Sequence, residues 1–343
     1  MQVEKNHSLL HDNTFNIDQN CDEYIVYENE HDAVSIAKDL RAPFLLLGGG
    51  SNLLLTQDFH GKVVTPAKRF DISVVLRQGS NEPCLKCWAG TTFDDVVDYA
   101  VRHGYHGLEN LSLIPGECGA SAVQNIGAYG AEIKDVLTEI EAVEIGSGRV
   151  VTLQASDCGY SYRQSKFKHE WKNKYLILYV TYQLSRAFQP ELDYGNVRKQ
   201  LEAKGITESQ LTGEQLRETI IEIREAKLPD PLVLGNAGSF FMNPIVDAET
   251  FEKLKAAHSD LRFFEMPQAD GTMKYKIPAG WMIDQCGWKG RSLGKAGVYD
   301  KQALILVNRG GARGEDVVKL MKAVQHDVKE KFGLEIKPEV NII

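Results

Sequence analysis

The apolar stretch Phe44-Leu45-Leu46-Leu47 runs into Gly48-Gly49-Gly50-Ser51-Asn52 and resumes as Leu53-Leu54-Leu55. A buried strand is broken there by three successive residues without a side chain, where a backbone can come close to a ligand or to another segment. Gly48 and Gly50 match two positions of the dinucleotide fingerprint GxGxxG, but Leu53 occupies the third glycine position. The segment also opens into apolar residues and not into a helix. A Rossmann fold is therefore disfavoured.

A second segment has similar chemistry. Ile114-Pro115-Gly116 leads through Gly119-Ala120-Ser121 to Gln124-Asn125-Ile126-Gly127-Ala128-Tyr129-Gly130. Small residues alternate there with polar donors, at a place where an apolar pattern could begin a helix and receive an anion. In the first segment, backbone N–H groups of Gly48, Gly49 and Gly50 would face a pyrophosphate, with Ser51 and Asn52 adding side-chain donors. Each segment alone also reads as a tight turn. Together they favour a bound nucleotide or flavin, and the residues by themselves do not choose between the two.

Composition narrows the class. The chain has 343 residues, enough for two or three domains, and carries a formal net charge of -8 with both signs scattered along it. A nucleic-acid binder would show a basic face or tail, so none is expected. No apolar run approaches the roughly 18 residues of a membrane helix, and the first residues lack a signal-peptide core. A cytoplasmic protein without membrane insertion is the expectation. Of the six cysteines, Cys84 and Cys87 form one CxxC. There is no second, and His103 and His106 are too few to complete a site, so no metal is expected.

Periodicity predicts a helix over 31–41, strands at Val74-Val75-Leu76 and from Leu85 to Ala89, and a helix from Phe93 to Val101. A hairpin is expected from Val143 to Leu153, and a long apolar strand from Leu176 to Leu184. Leu216, Ile220, Ile221 and Ile223 mark a helix that stops before Leu228-Pro229-Asp230-Pro231, a rigid breaker and the expected domain boundary. A smaller α+β unit should follow, closing with an amphipathic helix through Val317, Leu320, Met321, Val324 and Val328. The tail from Leu334 to Val340 reads as a strand.

Eight ordered blocks then carry a resemblance over roughly 300 residues. They are Leu47 to Asn52; Gly107-Leu108-Glu109-Asn110 with Ile114-Pro115-Gly116; Gln124 to Gly130; Tyr162-Arg163-Gln164-Ser165-Lys166-Phe167-Lys168; Lys227 to Pro231; Gly235-Asn236-Ala237-Gly238-Ser239-Phe240-Phe241-Met242-Asn243-Pro244; Ala279 to Cys286; and Lys337-Pro338-Glu339-Val340. In this set the chain resembles the UDP-N-acetylenolpyruvoylglucosamine reductases, in particular their longer (type I) class. The blocks are specific as a set, and none is so alone.

The resemblance implies an α+β architecture: the FAD-binding fold of the vanillyl-alcohol oxidase and p-cresol methylhydroxylase type, plus a smaller substrate-binding α+β domain. On that view residues 1–227 bind FAD in two subdomains, about 1–70 and 71–227. Residues 228–330 bind substrate, and 331–343 return to the active site as a strand. The implied reaction is NADPH-dependent, FAD-mediated reduction of an enolpyruvyl ether of a UDP-sugar, in a monomer whose FAD is non-covalent. Arg163 would hold the substrate carboxylate and stabilise an enediolate, Ser239 would donate a proton, and Glu339 would be the third catalytic residue. FAD contacts would come from Gly48, Gly49, Gly50, Ser51 and Asn52, and from Ile114, Pro115, Gly116, Gly119, Ala120, Ser121, Gln124, Asn125, Gly127, Tyr129 and Gly130. Tyr194, in the insertion that marks the longer class, would contact the diphosphate and sugar with Lys227, Asn243 and Lys289. Two features depart from the pattern: a histidine-rich, acidic N-terminal extension, and Glu117-Cys118 inside the second glycine segment. The alternatives are a flavin oxidase of the same fold and a UDP-sugar-binding module without redox chemistry.

Overall fold

The first helix begins where the sequence supplies its cap. The Asn29 side chain accepts a hydrogen bond from the Asp32 amide at 2.9 Å, and Glu30–Asp39 follows as helix with Ala33, Ile36 and Ala37 buried. The computed structural model describes every residue except Arg77, Gln78, Ser80 and Ala269. The chain forms two units: one of residues 1–8, 20–50 and 59–226, the other of residues 9–19, 51–58 and 227–343.

The first unit holds two sheets. In one, the strands Gln2–Ser8, Asn20–Tyr27, Phe59–Pro66 and Phe44–Leu46 lie in that order. The first pair is antiparallel and the other two pairings are parallel; the helix Glu30–Asp39 makes the crossover from Asn20–Tyr27 to Phe44–Leu46. The second sheet is antiparallel throughout, in the order Val150–Gln154, Leu137–Glu144, Tyr175–Gln183, Pro83–Trp88 and Ile72–Leu76. Its central strand Tyr175–Gln183 is buried on both faces, which is why its apolar run is nearly continuous. Leu176 and Leu178 pack with Ile36, Val64 and Trp88. Ile177, Val180 and Tyr182 pack with Phe93, Val96, Val97 and Ala100 of the helix Phe93–Arg102. Each such aliphatic side chain contributes about 1.5–3 kcal/mol on burial. A third cluster joins the helices Val197–Ala203 and Gly213–Lys227 through Leu192, Val197, Leu201, Leu216, Ile220 and Ile223, with Tyr129 against it.

The second unit is built on a sheet ordered Asn236–Ser239, Ile305–Asn308, Ala296–Val298 and Ser292–Leu293. The helix Gly314–Phe332 buries the stripe Val317, Leu320, Met321, Val324 and Val328, and Gly333 ends it at φ +65°. A smaller sheet pairs Met273–Lys276 with Ile245–Val246 and Phe264–Pro267.

Two expectations need correction. The leucines on either side of Gly48–Gly50 do not make one resumed strand. Phe44–Leu46 pairs with Phe59–Pro66 in the first unit, whereas Leu53–Leu54 pairs in parallel with Asn341–Ile342 in the second. The tail strand is also misplaced by the sequence pattern. Leu334–Val340 is not strand; Pro338 makes only an isolated bridge to Phe241, and the terminal strand is Asn341–Ile342. Proline has no N–H to give a ladder, so regular pairing starts only beyond it.

Candidate active site

In the first unit the two glycine segments meet backbone to backbone. A Cβ built on Gly49 would lie 3.2 Å from Gly116 Cα, and one on Gly48 would lie 3.1 Å from Ala120 Cβ. Gly50 and Gly116 adopt φ of +65° and +112°, open to glycine and strained for other residues. Glu117 precedes the helix Cys118–Gln124 and is buried beside Gly48 and Gly49. Gly119 presses on Ala89, where a Cβ would be 3.0 Å from the alanine methyl. Ile114 is half-buried against the core, and Pro115 is exposed.

Two polar residues of this segment have structural duties. The Ser121 hydroxyl donates to the Cys118 carbonyl at 2.7 Å and pairs with the Tyr182 hydroxyl at 2.8 Å. The Asn125 amide donates to Glu132 Oε2 and the Ser161 carbonyl, and its oxygen accepts from the Lys134 N–H. Gln124 differs: its Oε1 is shut off from solvent and meets no donor among the described residues. A buried amide oxygen without a donor is costly. It suits a ligand carrying an N–H, as the flavin ring does. The close-packed glycines and this acceptor together fit FAD.

Arg163 sits at the edge of this segment in a strained turn. Its φ is +57°, and the Ser161–Gln164 bridge closes the loop. Nη2 donates to the Gly127 carbonyl at 2.6 Å and Nη1 to the Asn125 carbonyl at 3.3 Å. The guanidinium lies 5.4 Å from the Tyr162 ring centre, and Lys168 Nζ donates to the Arg163 carbonyl at 2.9 Å. Tyr129 is also left-handed, at φ +47°. Gly130 lets the Tyr194 loop close on it, since a Cβ there would be 3.4 Å from Tyr194 Cβ and 2.8 Å from Glu191 Cγ. Burial raises the pKa of both phenols. Arg224 opposes the shift at Tyr129 and Arg163 opposes it at Tyr194. Both therefore stay protonated at neutral pH and are available as donors.

The second unit gathers another group. Ser239 ends the strand Asn236–Ser239 with its side chain exposed, after Gly238 at φ +66°. Glu339 runs alongside: its N–H donates to the Phe240 carbonyl at 2.8 Å, and the Asn52 amide donates to the Glu339 carbonyl at 3.3 Å. Ser239, Glu339 and the Ser51-Asn52 pair, distant in sequence, thus share this unit. Asn243 uses its Oδ1 to accept the Ala279 N–H at 2.8 Å, fixing the start of the helix Ala279–Gln285. Lys289 lies beyond the other end of that helix, exposed and 3.9 Å from Asp284. Lys227 is the last residue of the helix Gly213–Lys227 and is half-buried.

Two residues escaped the sequence reading of the site. Asn110, buried, donates to the Tyr129 carbonyl at 2.7 Å and the Glu191 carbonyl at 2.8 Å, tying the second glycine segment to the Tyr194 loop. Its block was visible, but nothing local indicated a clamp. Arg224 lies four residues beyond Ile220, in line with the buried face of its helix. A charge in that register was the available signal.

Residues 28–154 match the model of an FAD binding domain, and residues 230–343 match that of the UDP-N-acetylenolpyruvoylglucosamine reductase C-terminal domain. A UDP-N-acetylenolpyruvoylglucosamine reductase of Bacteroides fragilis is 47% identical over 344 residues, spanning 99% of this chain and 100% of that protein. One from Burkholderia ambifaria is 42% identical, spanning 97% and 95%. The solved structure of the Thermus caldophilus reductase superposes with a TM-score of 0.68 at 22% identity, covering 100% of this chain and 99% of that one.

Proposed function

The chain belongs to the UDP-N-acetylenolpyruvoylglucosamine reductase family, and from that premise we propose that it reduces UDP-N-acetylglucosamine enolpyruvate to UDP-N-acetylmuramate, a step in making peptidoglycan precursor. It is an FAD-dependent oxidoreductase. When bound, FAD supplies the hydride chemistry, drawing electrons from NADPH. The first unit's glycine segments hold the cofactor; the region from residue 228 onward takes the substrate, with the chain end closing its site. The enzyme works as a cytoplasmic monomer, and none of the described helices is long and apolar enough to cross a membrane.

Hydride addition to the terminal carbon of the enol ether leaves the charge on the substrate carboxyl group as an enediolate. Arg163 receives that charge. Its planar guanidinium is aimed by the carbonyls of Gly127 and Asn125, so no reorganisation is needed as charge develops. Ser239 presents an exposed hydroxyl and protonates the adjacent carbon, which in the enediolate is basic enough to take a proton from an alcohol. Glu339, on the segment beside it, orients that step. Tyr194, Lys227 and Asn243 contact the diphosphate and sugar, with Lys289 at the outer edge.

The observation that supports this most is Arg163. It is strained, half-buried and bonded to the carbonyl of a glycine in the cofactor segment, a costly arrangement for an arginine with no role. The test is anaerobic incubation of the yellow enzyme with NADPH and UDP-N-acetylglucosamine enolpyruvate. The UDP-sugar should gain two hydrogens by mass as NADPH is consumed. A sugar of unchanged mass, with reduced enzyme that reoxidises rapidly in air, would make the protein an oxidase instead.

A further inference from the structure

The N-terminal stretch has no part in the reaction as described, yet much of it is buried. Residues 9–19 belong to the second unit, although the strands Gln2–Ser8 and Asn20–Tyr27 on either side of them in sequence belong to the first. Leu9, Phe15 and Ile17 are each 1% exposed or less. The buried Asn13 side chain folds the segment on itself: Nδ2 donates to the carbonyls of Leu9 and Ile17 at 2.7 and 2.9 Å, and Oδ1 accepts the Ile17 N–H at 3.0 Å.

The segment touches the strand that ends in Ser239. Thr14 grips Asn236 twice, its hydroxyl donating to the Asn236 carbonyl at 2.6 Å and its carbonyl accepting the Asn236 N–H at 2.9 Å. Gly235 admits this contact, since a Cβ there would lie 2.3 Å from the Phe15 carbonyl oxygen. Asn308, on the neighbouring strand, donates to that same carbonyl at 3.0 Å, and the Phe15 ring meets Phe240 edge-on at 6.1 Å. Asn236–Ser239 is the edge strand of its sheet, so Thr14 bonds it on the side that no neighbouring strand occupies.

Asn236 in turn shapes the backbone before Ser239. Asn236 pairs with Val307 and Ser239 with Ile305, three steps along one strand against two along the other. The extra residue makes a β-bulge, a device that re-aims a side chain beside an active site. Gly238 takes the left-handed turn at φ +66°, and its N–H donates to Asn236 Oδ1 at 2.9 Å. Nδ2 of the same buried amide donates to the carbonyls of Leu234 and Pro229 at 2.8 and 3.3 Å.

We infer that Thr14 is a positioning residue for the proton donor: it fixes Asn236, whose side chain closes the bulge that aims Ser239. This rests on the reading of Ser239 as the proton donor. A hydroxyl that must reach one carbon of the intermediate depends on its supporting groups for that aim.

The test is stopped-flow flavin absorbance of the FAD-loaded enzyme in wild type, Thr14→Val, Thr14→Ser and Ser239→Ala. Thr14→Val keeps the shape of the side chain without its donor. Reoxidation by UDP-N-acetylglucosamine enolpyruvate should slow by roughly tenfold or more in it, with reduction by NADPH and substrate affinity both within about twofold of wild type. Thr14→Ser, which keeps the hydroxyl, should restore most of the rate. Introduced into Ser239→Ala, Thr14→Val should slow reoxidation no further, because the group it positions is gone. Asn16→Gly is the control for a general loss of support. It gives up the bond from Asn16 Nδ2 to the Pro231 carbonyl but none to Asn236, and glycine accepts the φ of +55° found there, so both half-reactions should keep their wild-type rates. The inference is overturned by wild-type reoxidation in Thr14→Val, by equal slowing of both halves, by additive slowing in the double variant, or by an Asn16→Gly enzyme as slow as Thr14→Val. Should Thr14→Val not fold, Thr14→Ala takes its place; if neither folds, Thr14 is structural and the inference falls. A Ser239→Ala enzyme that reoxidises like wild type would instead remove the reading of Ser239 as the donor, and the task of Thr14 with it.

Discussion

Gly127→Ala should disable the arginine while leaving the Arg163 side chain itself unaltered. A Cβ on Gly127 would stand 2.8 Å from the Ala131 carbonyl oxygen and 3.0 Å from both Arg163 Nη1 and Glu132 Cγ. The carbonyl belongs to the short antiparallel pair that joins Gly127 to Glu132 and Ala128 to Ala131, so it cannot simply swing aside. Carbon–oxygen contacts need roughly 3.3 Å, and the pair must therefore open by about half an ångström. Overpacking of this kind costs about 1–3 kcal/mol of stability. The same shift moves the carbonyl that accepts from Arg163 Nη2 at 2.6 Å. A misplacement of 1 Å at a reacting centre costs on the order of 100-fold, so half of that predicts a fall of about 10-fold in kcat/KM. Steady-state kinetics at saturating FAD, with thermal unfolding in parallel, give both numbers. A variant that loses stability yet turns over normally would show that Gly127 does not position Arg163.

Two other variants or treatments probe the same site. Arg163→Lys keeps the charge but loses the fork and both carbonyl anchors, and enol-ether reduction should slow by ~10²–10³; near-normal turnover would remove Arg163 from the chemistry. Denaturing and filtering the yellow enzyme should release all of its flavin, because the glycine segments offer backbone contacts without an attachment residue, and colour retained on the polypeptide would contradict that.

Much of the local structure was legible because its cause is local. Phe93, Val96, Val97, Ala100 and Val101 repeat at helical spacing and are the buried face of Phe93–Arg102. Leu228-Pro229 stops the helix that ends at Lys227. What failed depended on distant partners. Leu53-Leu54 looks like a continuation of Phe44–Leu46, yet its partner is Asn341–Ile342, nearly the whole chain away. Hydropathy carries no information about such a pairing. Ser239 and Glu339 were visible only through the resemblance, since an exposed serine and a half-buried glutamate have no distinguishing pattern. Arg224 was readable in principle from its register on a buried helix face.

In the proposed mechanism NADPH reduces the enzyme first, and Ser239 acts only after hydride has reached the substrate. Stopped-flow absorbance of the flavin follows the two halves separately in wild type and in Ser239→Ala. The predicted result is reduction by NADPH at close to the wild-type rate in both, with reoxidation by the enolpyruvyl substrate very slow in the alanine variant. Cysteine at the same position, with an ionisable S–H, should recover part of the second half. Equal slowing of both halves would make the serine structural, and wild-type reoxidation in Ser239→Ala would mean that another acid protonates the intermediate.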